Sequence, residues 1–495
     1  MLRAFRPETV FTGSTGGLLV IDSRIDGKRG VLALSGVGAL LLFFDVGARV
    51  LASNDEARFA VLARDILRHG TWLVPWLGDA PYLNKPPLVA WLIALASWPT
   101  GGVTQSTAVW PSLVAGLGIV LVTWWIGRRL WDQAVGLTAG FVVLTMHGVF
   151  TQARTTMPDI VLCLAMTGAM AAFVAAEFGA RPRMMLVCHL LLAVGFLAKG
   201  PAALLGLVVI AVHGLVTREG PWLRRLTRLQ GAVAIVPVIA PWWLIAAASR
   251  GSGFVQDTVV TDWLAWFQPS GRVNANGLLT PFAQTLAIVL PWSPLLLIAV
   301  VAAVRARHRL PAGAAAFLLV WLAVIFAVVA LSREQRMRYY LPLCPAAALL
   351  VAVWYHHLLA RRHALVRWAA AAAVVVGLVT WQVHDDTRHN AATDLAAVGA
   401  ASARGDLPLY TLGVPNLVAA FYVDRPVLAL DAAPMAHEWL EPGYFIVEEQ
   451  ALARWPAGCA VDRLGDGTAN GRRFAVLRLA PPGCRALTGG APSAG

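Results

Sequence analysis

Charge is scarce in this chain. Asp, Glu, Lys and Arg make up 14% of its 495 residues, where soluble domains carry about a quarter. With 58% of residues hydrophobic and a mean hydropathy of +0.65, water is excluded as the main solvent. Acidic residues are the scarcer sign, 27 against 40 basic ones, for a formal net charge of +13. In a soluble protein that excess would suggest nucleic acid. Here most of the surplus arginine falls in short loops beside apolar runs, as the positive-inside tendency requires, and no nucleic acid is expected as a partner. Cysteine is rare too, at five residues without metal-ligand spacing. Cys163, Cys188 and Cys344 lie in apolar runs and read as small packed hydrophobes. Cys459 and Cys484 share a polar C-terminal stretch, where an oxidising compartment would allow a disulfide. There is no internal repeat, and no low-complexity tract beyond Ala, Leu and Val runs. Residues 1–30 are mixed and polar rather than a cleavable signal, so the first apolar run is expected to act as an uncleaved membrane signal.

What is present is a series of apolar runs of about the 20 residues a helix needs to cross a bilayer. They fall at 31–50, 106–127, 133–152, 158–178, 184–198, 201–217, 229–248, 279–304, 312–331, 339–357 and 364–383. The runs 184–198 and 201–217 are short and suit tilted or thin-bilayer spans. The twelve residues 87–98 are too few for an ordinary span and read as a re-entrant or interfacial piece. If they do not cross, the clusters Arg24/Lys28/Arg29, Arg128/Arg129, Arg181/Arg183, Arg218–Arg228, Arg305/Arg307/Arg309 and Arg361/Arg362 share one face, which the charge rule makes cytoplasmic. The expected architecture is an α-helical polytopic membrane protein of about 11–13 spans. It has a cytoplasmic N-terminal segment (1–30), a transmembrane region (31–383) and a small C-terminal α/β domain (384–495) on the opposite, periplasmic face. The runs "LPLYTLGV", "PVLAL", "YFIVEE" and "RFAVLRLA" supply that domain's strands.

One outer loop, residues 51–105, is unusually charged. "SNDE" at 53–56 is a capping box, with Ser53 at the N-cap and Glu56 three residues on. It opens an amphipathic helix over about 56–68 that would lie flat at the membrane surface and end at Gly70. Helix-dipole compensation alone could account for Asp55 and Glu56. Other polar residues are expected on the same face, however: Arg154 and Asp159 in "QARTTMPDIV", Lys199 in "LAKGP", and Arg336, Arg338 and Tyr339 in "REQRMRYYLP". Ionisable groups at span edges are costly and point to function. Cations suit a phosphate, and a carboxylate suits acid–base or electrostatic work. His147, His189 and His213 read as hydrogen-bonded core residues, and the 20 tryptophans mostly as interfacial belts.

Over roughly residues 30–360 the chain resembles the membrane-embedded glycosyltransferases of the GT-C fold, in the branch of the lipid A aminoarabinose transferase and the protein O-mannosyltransferases. The matching words are "NDEARFAVLARDILRHGTWLVPWLGDAPYLNKPPLVAW", "ARTTMPDIVLCL", "FLAKGPAALL", "RYYLPLCPAAALL" and "GRRLWDQAVGLTAG". The resemblance implies transfer of a sugar from a polyprenyl-phosphate donor to a lipid, glycan or protein acceptor at the periplasmic face of a bacterial inner membrane. It makes Asp55 the essential acidic residue of the first outer loop. It places Arg58, Tyr82 and Lys85 in the cavity, with Lys85 near the donor phosphate, and adds Asp159, Lys199 and Tyr339; Glu56 is placed with the cavity residues as well. Two departures stand out. Phe59 occupies a usual Tyr position. Asn84 occupies a frequent Glu position, while the fourth outer loop, "TDWLAWFQPSGR", has no His. A metal site of the Glu/His kind is therefore not expected, and no cofactor is assigned. In this reading Lys85, Arg58 and one of Arg336 and Arg338 hold the donor phosphate, and Asp55 serves a hydroxyl acceptor as base or orients a phosphate acceptor. A lipid-sugar transporter or flippase and a non-catalytic scaffold are the rival readings. Transporters commonly show matching halves, absent here, and a scaffold has no need for these charges to converge.

Overall fold

The computed structural model describes residues 23–485 apart from 52, 79, 218–228, 251, 265–274, 306–309, 312, 359–363, 392, 396–397, 399–406, 431–438, 454, 457–458 and 470. The segment 1–22, the basic loops at 218–228, 306–309 and 359–363 and most of the fourth outer loop lie outside the described residues.

The chain is mainly helical. Helix α1 spans Ser23–Phe43, α2 Asn54–His69, α3 Leu88–Ser97, α4 Gln105–Leu130, α5 Gln133–Leu144, α6 His147–Ala153, α7 Pro158–Glu177, α8 Met184–Lys199 and α9 Leu205–Thr217. Apolar helices follow at Leu229–Arg250, Ala275–Val289, Ser293–Arg305, Ala314–Ala330 and Cys344–Val353, then a long helix at Ala364–Ala391. By length and hydropathy four described segments suit a membrane span, or six if each of two bent helix pairs counts as one. Helix α7 is the most enclosed, with 83% of its most apolar window buried. It packs between α4 and α8, which places Asp159, in its first turn, at one end of the bundle axis. The 34 residues Met184–Thr217 pass as a single apolar unit, yet Leu192 packs against Gly206 and Ala203 against Gly195. The segment is therefore a hairpin that reverses at Gly200, whose φ of +67° favours glycine. Lys199 sits at its tip. Helix α3, ten residues long and so about 15 Å, cannot cross a bilayer.

The start of α2 follows local chemistry. Ser53 is extended and accepts the Glu56 N–H at 3.3 Å; Gly70 closes the helix with φ +69°. Ala57, Phe59, Ala60, Leu62, Ala63 and Ile66 bury one face, largely against α3. The polar face is not spread over headgroups as expected. It is covered by the C-terminal domain, whose helix Asn416–Val423 packs on it. Arg64 donates to the carbonyls of Ala420 (3.0 Å) and Phe421 (2.6 Å) and pairs with Asp424 at 2.8 Å. Arg68 joins Asp424 at 2.6 Å. Asn54 bonds Asn416, and the Tyr422 hydroxyl receives the Leu51 N–H and the Gln105 amide.

The helix Ala364–Ala391 runs past the expected boundary at 383. Its last turns have partners: Asp386 lies 3.4 Å from Arg154, and Asn390 bonds Ala48 and Val50. Beyond it, strands β3 (Leu409–Leu412), β4 (Leu428–Ala429), β6 (Gly443–Glu448), β7 (Asp462–Ala469) and β8 (Arg472–Leu479) form a mixed sheet in the order β4-β3-β6-β8-β7. A second pair, β5 (Trp439–Leu440) with β9 (Cys484–Arg485), lies beside the Cys459–Cys484 disulfide. A last pair, β1 (Trp76–Leu77) with β2 (Ala80–Pro81), braces the loop before Lys85.

The docking predicts that Arg64→Ala loosens the C-terminal domain. Losing two carbonyl bonds and an ion pair costs about 2 kcal/mol, and limited proteolysis of the detergent-solubilised protein should release the C-terminal fragment faster than from wild type. Unchanged release would contradict this docking.

Candidate functional site

At the α7 end that carries Asp159, a cavity of about 440 Å³ opens between α2, the loop after β2, α7, the α8–α9 tip and residues 333–339. Of the expected residues, Asp55, Arg58, Lys85, Asp159, Lys199, Arg336, Arg338 and Tyr339 all line it. They come from segments almost 300 positions apart, brought together because each sits at the same end of a packed helix.

The charges alternate. The Asp55 carboxylate lies at the N-terminus of α2. It accepts Arg58 from the next turn at 3.1 Å on one oxygen, and Arg336 (3.1 Å) and Arg338 (2.9 Å) on the other. Arg338 also approaches Asp159 at 3.7 Å, and Asp159 bonds Lys199. The Lys199 ammonium stands 4.1 Å over the Tyr339 ring. Asp159 and Lys199 are 4% and 12% exposed at their side chains, so neither charge could stay there alone. Partial burial disfavours ionisation of Asp55, but the Arg338 hydrogen bond and charge, with Arg58 and Arg336, outweigh it and hold its carboxyl below the ordinary value of 3.8. Among the described residues the lining has six cationic side chains (Arg58, Lys85, Lys199, Arg333, Arg336, Arg338) against three acidic ones (Asp55, Asp159, Glu334). It is thus built to hold an anion.

Two expected cavity residues lie elsewhere. Glu56 is 3% exposed and turns inward, where its carboxylate pairs with Arg49 and accepts the Ser53 hydroxyl at 3.2 Å. Helical geometry puts it about 100° around the axis from Asp55, and Arg49 holds its carboxylate there, away from the cavity. Tyr82 lies on the loop before Lys85 but does not line the cavity. Arg154, also expected on this face, is 9% exposed and donates to the Leu42 and Phe44 carbonyls and to Asp386, tying α6 to the end of α1 and to the outgoing helix.

Unanticipated walls are Phe59, Met157, Leu205 and Trp263. Trp263 packs across Phe196 and Trp243 with ring centroids 5.5 and 5.6 Å away, and only its outer-loop position hinted at it. Among the described residues no three His, Cys, Asp or Glu side chains converge. With Asn84 beside Lys85 and no His in "TDWLAWFQPSGR", the residues do not fit a Glu/His metal site, and no step below runs through one.

The buried pair makes a stability prediction. Asp159→Asn should lower unfolding free energy by about 3 kcal/mol, since it strands the Lys199 charge, whereas Asp159→Asn with Lys199→Met should recover most of the loss. Thermal unfolding of the three proteins in one detergent checks this; additive losses would contradict the pairing.

Residues 84–245 match the family model described as dolichyl-phosphate-mannose-protein mannosyltransferase. The protein named undecaprenyl phosphate-alpha-4-amino-4-deoxy-L-arabinose arabinosyl transferase from Pectobacterium carotovorum is 28% identical over 330 residues, covering 64% of this chain and 57% of that one. Its Yersinia pestis counterpart is 28% identical over 339 residues, 65% and 59%. The match thus spans less than two thirds of the length of these curated relatives. Among solved structures, ArnT from Cupriavidus metallidurans bound to undecaprenyl phosphate superposes with a TM-score of 0.76 at 17% identity, covering 92% of this chain and 99% of that one. The Archaeoglobus fulgidus oligosaccharyltransferase tethered to an acceptor peptide does so at 0.53 and 11%, covering 87% and 71%. The chain has the GT-C fold and is similar to the aminoarabinose transferases.

Proposed function

We propose that the chain is an inverting glycosyltransferase. It moves a sugar from a polyprenyl-phosphate donor to a lipid of the lipid A type at the periplasmic face of the bacterial inner membrane. The observation that carries this reading is the cationic excess of the cavity, arranged around one ionised carboxylate. The names of the relatives, with an undecaprenyl-phosphate-linked aminosugar as donor, support the donor class.

Lys85, Arg58 and the Arg336/Arg338 pair receive the donor phosphate. As the bond from the anomeric carbon to the phosphate oxygen breaks, its electron pair stays on that oxygen and charge grows there. Cations fixed in place stabilise this charge more in the transition state than in the ground state. The acceptor oxygen attacks from the opposite side, which inverts the centre. A hydroxyl acceptor gives its proton to Asp55. A phosphate acceptor is already ionised, and Asp55 then only orients the assembly. Because three arginines keep Asp55 a weak base, orientation and charge compensation are the larger part of its work. Asp159 and Lys199 fix Arg338 and Tyr339 rather than touch the reacting atoms.

The proposal predicts that Asp55→Asn and Lys85→Ala each lower transfer by about 10²–10³, roughly 3–4 kcal/mol, without loss of membrane insertion. Release of free polyprenyl phosphate from a sugar-charged donor by the purified protein is the readout; it also separates the enzyme from a flippase, which would release none. An active Asp55→Asn would remove the assignment. The lowered Asp55 value sets the pH response. Its ionised form persists as pH falls toward 3.8, so the rate should show no acidic limb due to Asp55 between about pH 5 and 8. A limb in that window that moves when Arg338 becomes Gln would contradict the lowered value.

A further inference from the structure

The opposite end of the bundle holds a second cationic concavity, of about 400 Å³, lined by Trp125, Arg128, Arg129, Ala175 and Arg181. Gln105, at the other end of α4, bonds Tyr422 beside the Asp55 region. Arg128 is 23 residues along that helix, about 35 Å away at 1.5 Å per residue, the depth of a bilayer's apolar core plus part of its headgroup layer. The pocket therefore lies at headgroup level on the far side.

Loop arginines by themselves record only insertion topology, but these are held in place. Arg128 stacks over the Trp124 ring at 5.5 Å. Arg129 reaches under the turn after α7, where a Cβ on Gly179 would stand 2.9 Å from its Nη2. That turn carries Ala180 at φ +51° and brings the Arg181 N–H back onto the Ala175 carbonyl at 3.2 Å. Of the acids nearest in sequence, Asp132 is used by the Val135 N–H (2.9 Å) and approached by His357 (3.7 Å), and Glu177, four residues before Arg181, has an interaction of its own. Three guanidinium forks around one concavity, with a tryptophan in its wall, are suited to a phosphate at the membrane interface.

We propose that this pocket binds the phosphate headgroup of an anionic phospholipid from the leaflet opposite the transfer cavity. The site shares no residue with that cavity, so it stands or falls separately from the transferase reading.

The test is retention of lipid by the purified full-length protein in native mass spectrometry, with phosphatidylglycerol and phosphatidylcholine of identical acyl chains. Wild type should keep phosphatidylglycerol about tenfold better. The R128Q/R129Q/R181Q variant should lose the preference. R128K/R129K/R181K keeps the charge that directs insertion but not the forked donors, and should lose most of it. K28Q/R29Q/R305Q removes three exposed charges elsewhere and should retain it. Equal retention of both lipids by wild type, or an undiminished preference in either triple variant at 128, 129 and 181, would overturn the proposal. So would displacement of the lipid by inorganic phosphate, which would assign the pocket to a soluble anion.

Discussion

A charge at the rim of an apolar bundle persists only if an opposite charge is held against it, and this condition organises the cavity end of the molecule. Arg58, Asp55, Arg336 and Arg338, Asp159 and Lys199 form one alternating chain across α2, the turn before Cys344, α7 and the α8–α9 tip. Each member is tolerated because its neighbour is present, so the network joins elements that apolar packing alone would leave free to slide. Among the described lining residues the cations outnumber the acids, leaving a surplus that a phosphate can satisfy.

The same economy links the C-terminal domain to the site. Asp55 stands in the first turn of α2; Arg64 and Arg68, about two and a half and three and a half turns on, hold the helix Asn416–Val423 and Asp424. Asn54, the residue before Asp55, is bonded to Asn416 and to the Leu417 N–H. The C-terminal domain therefore fixes the helix that aims the central carboxylate, and its position bears on the geometry of the cavity.

Much of this was legible in the sequence where the signal was local or costly. Ser53, Glu56 and Gly70 mark the ends of α2 because caps are written in adjacent residues. Asp159, Lys199, Arg336 and Arg338 stood out because charge is rare in apolar surroundings, and they converge as that cost implies. Helix direction and partner identity across hundreds of residues were not legible. Spacing alone could not decide which of Asp55 and Glu56 faces the cavity; the pairing of Glu56 with Arg49 settles it. Arg154 carries the same outward signal as Arg338, yet its partner, Asp386, comes from the outgoing helix. The wall tryptophan, Trp263, belongs to a residue type so common in membrane chains that only its place in a loop set it apart beforehand.

The most direct measurement is an experimental structure of this chain with a polyprenyl phosphate bound. The account predicts the phosphate within hydrogen-bonding reach of Lys85 and Arg58 and of at least one of Arg336 and Arg338, sharing with Asp55 the guanidiniums that now surround it. A phosphate bound outside this cavity, with the Asp55 cluster undisturbed, would contradict it.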